Sequence, residues 1–138
     1  MIVVMCDGSS RGNPGPSSIG IIIWRRMKGN TRISKPTVRI NESIGIGTNN
    51  EAEWTALIKA MEYLVKQKWH EEEIYIYTDS QLVANQVNLK WKVKHDKIQK
   101  LFDKWTKIVV PNNVLDWNVV WVPRQLIYLA DKEAGKCQ

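Results

Sequence analysis

Two short apolar runs in this chain each end at an aspartate, and they constrain the fold more than any other feature. The first run, Met1 to Cys6, leads into Asp7, and the second, Ile74 to Thr78, leads into Asp79. Short apolar runs bounded by turn-forming residues are typical of buried strands. Two such strands predict a pair of carboxylates at one end of a sheet, where α/β folds bind their ligands.

The segment between the two runs is predicted to be a long helix that carries Glu53. Thr48-Asn49-Asn50 and the Lys-rich far end mark its two ends. Glu53 precedes Leu57 by four residues, so it projects from the apolar stripe that faces the core. A carboxylate there is costly unless it is paired or holds a metal. An aspartate before glycine, such as Asp7, also has a plain turn explanation. If the helix crosses between parallel neighbours, Asp7, Glu53 and Asp79 converge.

The other segments predict three more strands and three shorter helices. We expect the first three strands to form an antiparallel meander with the third at the sheet edge and a turn at Lys28-Gly29-Asn30. The last of these helices, near the end of the chain, carries Asp131. The predicted strands are Ile19–Trp24, Thr31–Ile46 and Val114–Val122, and the predicted helices are Ser80–Val87, a Lys-rich helix within 89–110, and Ile127–Lys136.

Charge points to a polyanionic partner. The chain of 138 residues, which fits one domain (1–138), has 20 Lys and Arg against 14 Asp and Glu, a formal charge of +6. Between Lys90 and Lys107, seven lysines stand against two aspartates. A solvated helix face is the ordinary explanation of such a run, but Trp91 among lysines is the basic and aromatic mixture that suits a nucleic-acid backbone. Trp105 is predicted to lie in the core.

Cysteine usage and hydropathy predict a reduced protein of the cytoplasm. The two cysteines, Cys6 and Cys137, form neither a disulfide framework nor a zinc pattern. The first apolar run is too short for a signal peptide, and no run approaches the length of a membrane span. We therefore expect no membrane partner.

Five motifs, in order along nearly the whole chain, resemble the type 1 ribonuclease H family. They are DGSSRGNPGPSSIG (7–20), TNNEAEW (48–54), YTDSQLV (77–83), WKVK (91–94) and LADKEA (129–134). The resemblance implies an α/β, ribonuclease H-like fold: a five-stranded mixed sheet, its first three strands antiparallel, flanked by helices. It also implies a metal-dependent endonuclease that hydrolyses the RNA strand of RNA–DNA hybrids, leaving 5′-phosphate and 3′-hydroxyl ends. We expect a monomer, although the sequence does not settle the oligomeric state.

The resemblance carries the family's four catalytic and metal-binding acids onto Asp7, Glu53, Asp79 and Asp131. Carboxylates without a His or Cys cluster make an all-oxygen site, which selects Mg²⁺ or Mn²⁺. Two such ions are expected, with Asp7 bridging them. Glu53 and Asp79 would complete one ion site, and Asp131 the other.

The same resemblance predicts a set of substrate contacts, although each of these residues also has a plain turn, cap or surface explanation. A protein recognises RNA by its 2′-hydroxyls. The predicted contact residues are Gly8, Ser9, Arg11, Asn13, Thr48, Asn49, Asn50, Ser80, Gln81, Trp91, Lys92, Lys94 and Arg124.

Two departures from the family pattern and two rival functions stay open at this stage. Many members have a histidine in the loop before the last helix, whereas the histidines here are His70 and His95, and Arg124 is the polar residue in that loop. The long basic protrusion of certain bacterial members is absent or shortened. A resolvase- or integrase-like nuclease shares the clustered acids, and a hybrid-binding module without turnover is the third possibility. The TNN segment and the DGSSRGNPG loop favour ribonuclease H.

Overall fold

A five-stranded sheet forms the centre of the molecule. The computed structural model describes residues 1–26 and 35–136. The strands are β1 (Ile2–Ser10), β2 (Gly15–Arg25), β3 (Val38–Gly47), β4 (Ile74–Thr78) and β5 (Trp117–Trp121). Their order is β3-β2-β1-β4-β5. The β1–β2 and β2–β3 pairs are antiparallel, whereas β1–β4 and β4–β5 are parallel. The predicted mixed sheet, with β3 at one edge, is confirmed.

Helices cover both faces of this sheet. They are α1 (Asn49–Lys66), α2 (Gln81–Val87), α3 (Asp96–Val109) and α4 (Tyr128–Gly135), and a 3₁₀ turn spans Arg124–Ile127. The β1 residues Ile2, Val4 and Cys6 belong to the main core with α1, α2 and α3. On the opposite face, Val3 and Met5 pack in a smaller cluster with α4. This is the alternation that a central strand buried on both faces requires.

Several predicted boundaries differ from the observed ones. Strand β1 continues past Asp7, because its pairing with β2 extends to Ser10 opposite Ser17. The Lys-rich helix begins only at Asp96. Before it, Leu89 adopts φ 62°, and the N–H groups of the next two residues both donate to the carbonyl of Asn85, which turns the chain out of α2. Strands β2, β3 and β5 run over 15–25, 38–47 and 117–121, and the last helix starts one residue later than predicted.

Three sequence predictions touch residues outside the described ranges. These are the turn at Lys28-Gly29-Asn30, the first part of the predicted third strand, and the redox state of the Cys6–Cys137 pair. Trp105 is buried in the core, as predicted. Within residues 1–26 and 35–136, no helix is both long and apolar enough to cross a membrane.

The sheet opens between β1 and β4. Their parallel pairing runs from Ile2 opposite Ile74 to Met5 opposite Tyr77 and then stops, while β1 continues for five residues beside β2. Helix α1 is the crossover that joins the first three strands to β4. The opening therefore lies at the carboxyl ends of two parallel strands, where α/β folds place ligands.

Candidate active site

Three carboxylates meet where β1 and β4 part. Asp7 comes from β1, Glu53 from α1, and Asp79 directly follows β4. One oxygen from each lies within 4.8 Å of the others, a separation that a single cation could bridge. Asp7 is only 4% exposed although it is an acid. The structure thus brings together three acids that are far apart in the sequence.

Two glycines beside Asp7 allow helices on both sides of the sheet to approach it. A Cβ atom on Gly8 would lie 2.3 Å from the backbone carbonyl of Ala52, the residue before Glu53. A Cβ atom on Gly20 would lie 2.2 Å from the carbonyl oxygen of Ala130, the residue before Asp131. Real side chains do not tolerate such distances, so both positions require glycine. Gly8 was predicted as a substrate contact, and here it has this packing role.

Burial and mutual repulsion shift the acids toward their neutral forms. Burial raises the pKa of Asp7 to about 7; a hydrogen bond with Glu53 opposes the shift, and Asp79 and Asp131 add to it. Burial, followed by the charge of Asp7, raises the pKa of Glu53 well above its usual value. Burial also raises the pKa of Asp79, against the opposing charge of Arg124. The Oε2 atom of Glu53 is buried and has no hydrogen-bond partner among the described residues. A cation would satisfy this oxygen and remove the repulsion.

Asp131 stands at the margin of this cluster. It lies on α4, its side chain is 42% exposed, and it is not among the three acids that share the 4.8 Å separation. A side-chain hydrogen bond and its charge both contribute to the raised pKa of Asp7, so the two carboxyls face each other. The Nη2 atom of Arg124 lies 3.4 Å from Oδ1 of Asp131. Because Arg124 also lowers the pKa of Asp79, its guanidinium is a cation shared by two of the acids.

Trp121 is a site residue that sequence reasoning missed. Its Nε1 donates to the main-chain carbonyl of Asp79 at 3.1 Å, and the N–H of Val122 donates to Thr78 at 2.9 Å. The end of β5 therefore holds the end of β4 and the aspartate that follows it. Nothing in the apolar pattern of this strand distinguishes Trp121 from its neighbours.

The loop after β1 is tied to the start of α1. The N–H of Ser10 donates to Oδ1 of Asn49, and the N–H of Asn49 donates to Oδ1 of Asn13, both at 2.9 Å. Thr48 caps α1 and forms a capping box with Glu51. Asn13, Thr48 and Asn49 thus have the cap and turn roles that were the alternative to substrate contact.

Several predicted contact residues line one cleft of about 430 Å³ beside this loop. The cleft combines amides, a hydroxyl and two lysines, which suits a phosphate backbone. The predicted residues in its walls are Asn13, Thr48, Asn50, Lys92 and Lys94.

The remaining predicted contacts lie around this cleft or beside the acids. Trp91 is 47% exposed and lines a neighbouring cleft that it shares with Lys92. Ser80 caps α2 by accepting from the N–H of Val83, and Gln81 is exposed as the first residue of that helix. Ser9 is half-buried in β1, and Arg11 is exposed in the loop that follows.

Comparison with known proteins decides the family. The family model of RNase H matches residues 1–121. This chain belongs to the RNase H family. The chain is 32% identical to ribonuclease HI of Halobacterium salinarum over 130 residues, which are 94% of this chain and 60% of that protein. It is also 33% identical to the bifunctional protein Rv2228c of Mycobacterium tuberculosis over 134 residues, 97% of this chain.

Solved RNase H structures share the fold over almost the full chain. LC11-RNase H1 in complex with an RNA/DNA hybrid matches with a TM-score of 0.86 at 30% identity, covering 99% of this chain and 95% of that one. The N-terminal RNase H domain of Rv2228c matches with a TM-score of 0.83 at 33% identity, covering 98% and 91%. The resemblance to type 1 ribonucleases H is confirmed. The chain spans only 34% of the whole mycobacterial protein.

Proposed function

We propose that this RNase H-family chain is a metal-dependent endonuclease that hydrolyses the RNA strand of RNA–DNA hybrids to 5′-phosphate and 3′-hydroxyl products. The observation that carries the proposal is the cluster of Asp7, Glu53 and Asp79, whose oxygens lie within 4.8 Å of one another. A relative of the same family has been seen bound to an RNA/DNA hybrid. The family membership and the intact cluster together support an enzyme rather than a binding module.

The donor set suits hard divalent cations, and we propose that two of them bind. The cluster offers only carboxylate oxygens, and one of them, Oε2 of Glu53, is buried without a partner among the described residues. Mg²⁺ or Mn²⁺ prefers such ligands. Asp7 would be a ligand of both ions, Glu53 and Asp79 would complete the ligands of one, and Asp131 would complete those of the other. Ions bound in this way would supply an activated water and stabilise the leaving 3′ oxygen.

Arg124 is proposed to regulate the charge of the site. Its guanidinium pairs with Asp131 at 3.4 Å and lowers the pKa of Asp79. It stands in the loop where many family members have a histidine. Its planar guanidinium suits carboxylate and phosphate oxygens, so we assign it to orient Asp131 and to attract phosphate.

The cleft beside α1 is proposed to hold the nucleic-acid backbone. The side-chain oxygens of Asn13 and Asn49 accept backbone N–H groups, which leaves their amide groups as donors for a 2′-hydroxyl or phosphate. Lys92 and Lys94 line the same cleft as Thr48 and supply positive charge. Closer to the acids, Gly8, Ser9 and Gln81 are the proposed contacts to the RNA strand.

Monomeric state and cytoplasmic location stay predictions of the sequence.

One cleavage assay tests this function against its rivals. Labelled RNA–DNA hybrid, duplex DNA and a four-way junction are each incubated with the protein and Mg²⁺ or Mn²⁺, with EDTA as the control. We expect cleavage of the RNA strand of the hybrid only, with 5′-phosphate ends. Cleavage of the junction alone would favour the resolvase-like alternative. Hybrid binding without cleavage would favour the binding module.

A further inference from the structure

Glu133 is a buried acid outside the carboxylate cluster. It lies on α4, two residues after Asp131, and is only 2% exposed. Its Oε2 accepts from Nδ2 of Asn41 on β3 at 2.7 Å. Its Oε1 accepts from Nζ of Lys136 at 3.1 Å, and Arg39 lies 3.9 Å away. A buried carboxylate needs such partners, and Asn41 makes this one a link between the last helix and the edge strand.

Helix α4 has little to hold it in place apart from its contacts with the sheet. It has eight residues, and Ile127 at its N-cap supplies no side-chain cap. Isolated helices of this length are unstable in water. Ser18 donates from its hydroxyl to the carbonyl of Ala134 at 3.0 Å, and the backbone of α4 rests directly on Gly20. These contacts hold the Ala130–Ala134 face of the helix on β2, and the hydrogen bond from Asn41 to Glu133 adds a tie to the edge strand β3.

Asp131 and Glu133 lie on different sides of α4. Successive residues of a helix are about 100° apart, so two residues in sequence differ by about 200°. One of these acids faces Asp7 in the middle of the sheet, and the other faces Asn41 at its edge. A rotation that breaks the contact with Asn41 therefore also moves Asp131 away from Asp7.

We propose that Asn41 and Glu133 form a clasp that fixes the rotation of α4 and so positions Asp131 in the metal site. Both are positioning residues, and neither touches the ions or the substrate. This inference rests on the proposed function, because it assumes that Asp131 binds the second ion. It assigns a task to a buried acid that the four-acid pattern of the family does not include.

The test measures Mn²⁺ binding by calorimetry and electron paramagnetic resonance, in parallel with hybrid cleavage. Asn41→Asp places a second carboxylate against Glu133, and we expect the weaker Mn²⁺ site to lose about tenfold in affinity, as loss of a supporting hydrogen bond commonly does. The double variant Asn41→Asp with Glu133→Gln exchanges the two groups and restores the hydrogen bond, so affinity should return to within about twofold of wild type. Lys136→Ala is the matched control, because it removes one of the two exposed basic partners of Glu133 and leaves the hydrogen bond from Asn41 in place.

The effect should pass through Asp131. In an Asp131→Ala background, we expect Asn41→Asp to cause no further loss of Mn²⁺ affinity, because coupled positions are not additive. The proposal is overturned if Asn41→Asp lowers the melting temperature but leaves both Mn²⁺ affinities unchanged, or if the loss persists without Asp131. A wild-type protein that binds Mn²⁺ but cuts no hybrid would refute the proposed function, whereas the binding measurements would still decide the clasp.

Discussion

Asp7 lies directly opposite Gly20 in the antiparallel pair of β1 and β2, so the central acid of the site faces a residue without a side chain. Gly20 is also where α4 comes closest to the sheet, because a Cβ there would lie 2.2 Å from the carbonyl oxygen of Ala130. The space that Gly20 leaves open is thus what admits the helix that carries Asp131.

Gly20→Ala should push α4 away from the sheet. We expect the free energy of unfolding to fall by about 1–3 kcal/mol, the usual cost of overpacking, and hybrid cleavage to fall because Asp131 retreats from Asp7. Urea denaturation and initial rates measure the two effects. Gly135→Ala in the same helix is the control, because a Cβ there meets nothing within 4 Å. Wild-type stability and activity in Gly20→Ala would show that α4 does not lie this close.

Asp7→Asn should abolish cleavage without unfolding the protein. Asp7 is the acid that the proposal places between both ions, and an amide is a poor ligand for Mg²⁺. Removing one of several repelling carboxylates should leave the metal-free fold as stable or more stable. Cleavage rates and thermal melts in EDTA provide the measurement. The control is Asp103→Asn, which removes the same negative charge at an exposed position on α3 and should keep full activity. Residual cleavage by Asp7→Asn near the wild-type rate would remove Asp7 from the proposed role.

Divalent cations should stabilise the protein. They bind the folded cluster and not the unfolded chain, so ligand at about 100 times its dissociation constant adds about 2.7 kcal/mol. For a domain of this size the melting temperature should rise by about 8 °C. Calorimetric scans with and without Mg²⁺ or Mn²⁺ measure the shift. The same scans on Asp7→Asn should show a much smaller shift in melting temperature. An unchanged melting temperature of the wild type would argue against a metal site.

The metal-free protein should lose stability as the pH rises. The pKa of Asp7 is about 7 in the folded protein against an ordinary value of 3.8, so the folded state holds this proton more tightly than the unfolded chain. The free energy of unfolding should therefore fall between these two pH values, by on the order of a few kcal/mol, and stay low above about pH 7. Urea denaturation in EDTA at pH 5 and pH 8 measures it. Asp7→Asn should reduce the dependence, while burial of Glu53 and Asp79 retains part of it. A wild-type protein more stable at pH 8 would contradict the shift.

Lys92→Ala and Lys94→Ala should weaken hybrid binding mainly at low salt. Both residues line the cleft beside Thr48. If each contacts one phosphate, each variant should lower the slope of log affinity against log salt by about 1. Fluorescence anisotropy with the labelled hybrid over a salt series measures the slope. Lys107→Ala, which lies in a different cleft at the other end of α3, should leave it unchanged. Equal slopes for all four proteins would exclude this cleft from the interface.

The three clustered acids could be predicted from the sequence pattern, because each is a charged residue that ends or interrupts an apolar segment. Asp7 and Asp79 follow apolar runs that are typical of buried strands, and Glu53 interrupts the apolar stripe of a long helix. Side-chain alternation in β1 was equally predictable, since the period of a strand is fixed. In these segments the local signal and the tertiary environment agree.

Other parts of the site depend on contacts between distant segments that no local pattern reports. Asp131 lies in a short helix with little periodic signal, so only the family resemblance identified it. Gly20 was read as an ordinary strand residue, although an isolated glycine in a strand can indicate a close backbone approach. No local pattern identifies Glu133 as a buried acid, because its partner, Asn41, is 92 residues away. The late start of α3 follows from the turn at Leu89, which helical spacing could not indicate.

The early end of the β1–β4 pairing leaves backbone donors of β1 without a strand beside them, and α1 takes the place of that strand. The backbone of Gly8 lies directly against Ala52 and Glu53 of α1, and Oδ1 of Asn49 accepts the N–H of Ser10. Four residues of helix rise about 6.0 Å and two residues of strand about 6.6 Å, so the two repeats nearly match. A shift of α1 by one residue would disrupt both contacts together. The register of α1 along β1 is therefore fixed, and this register sets where the second oxygen of Glu53 points.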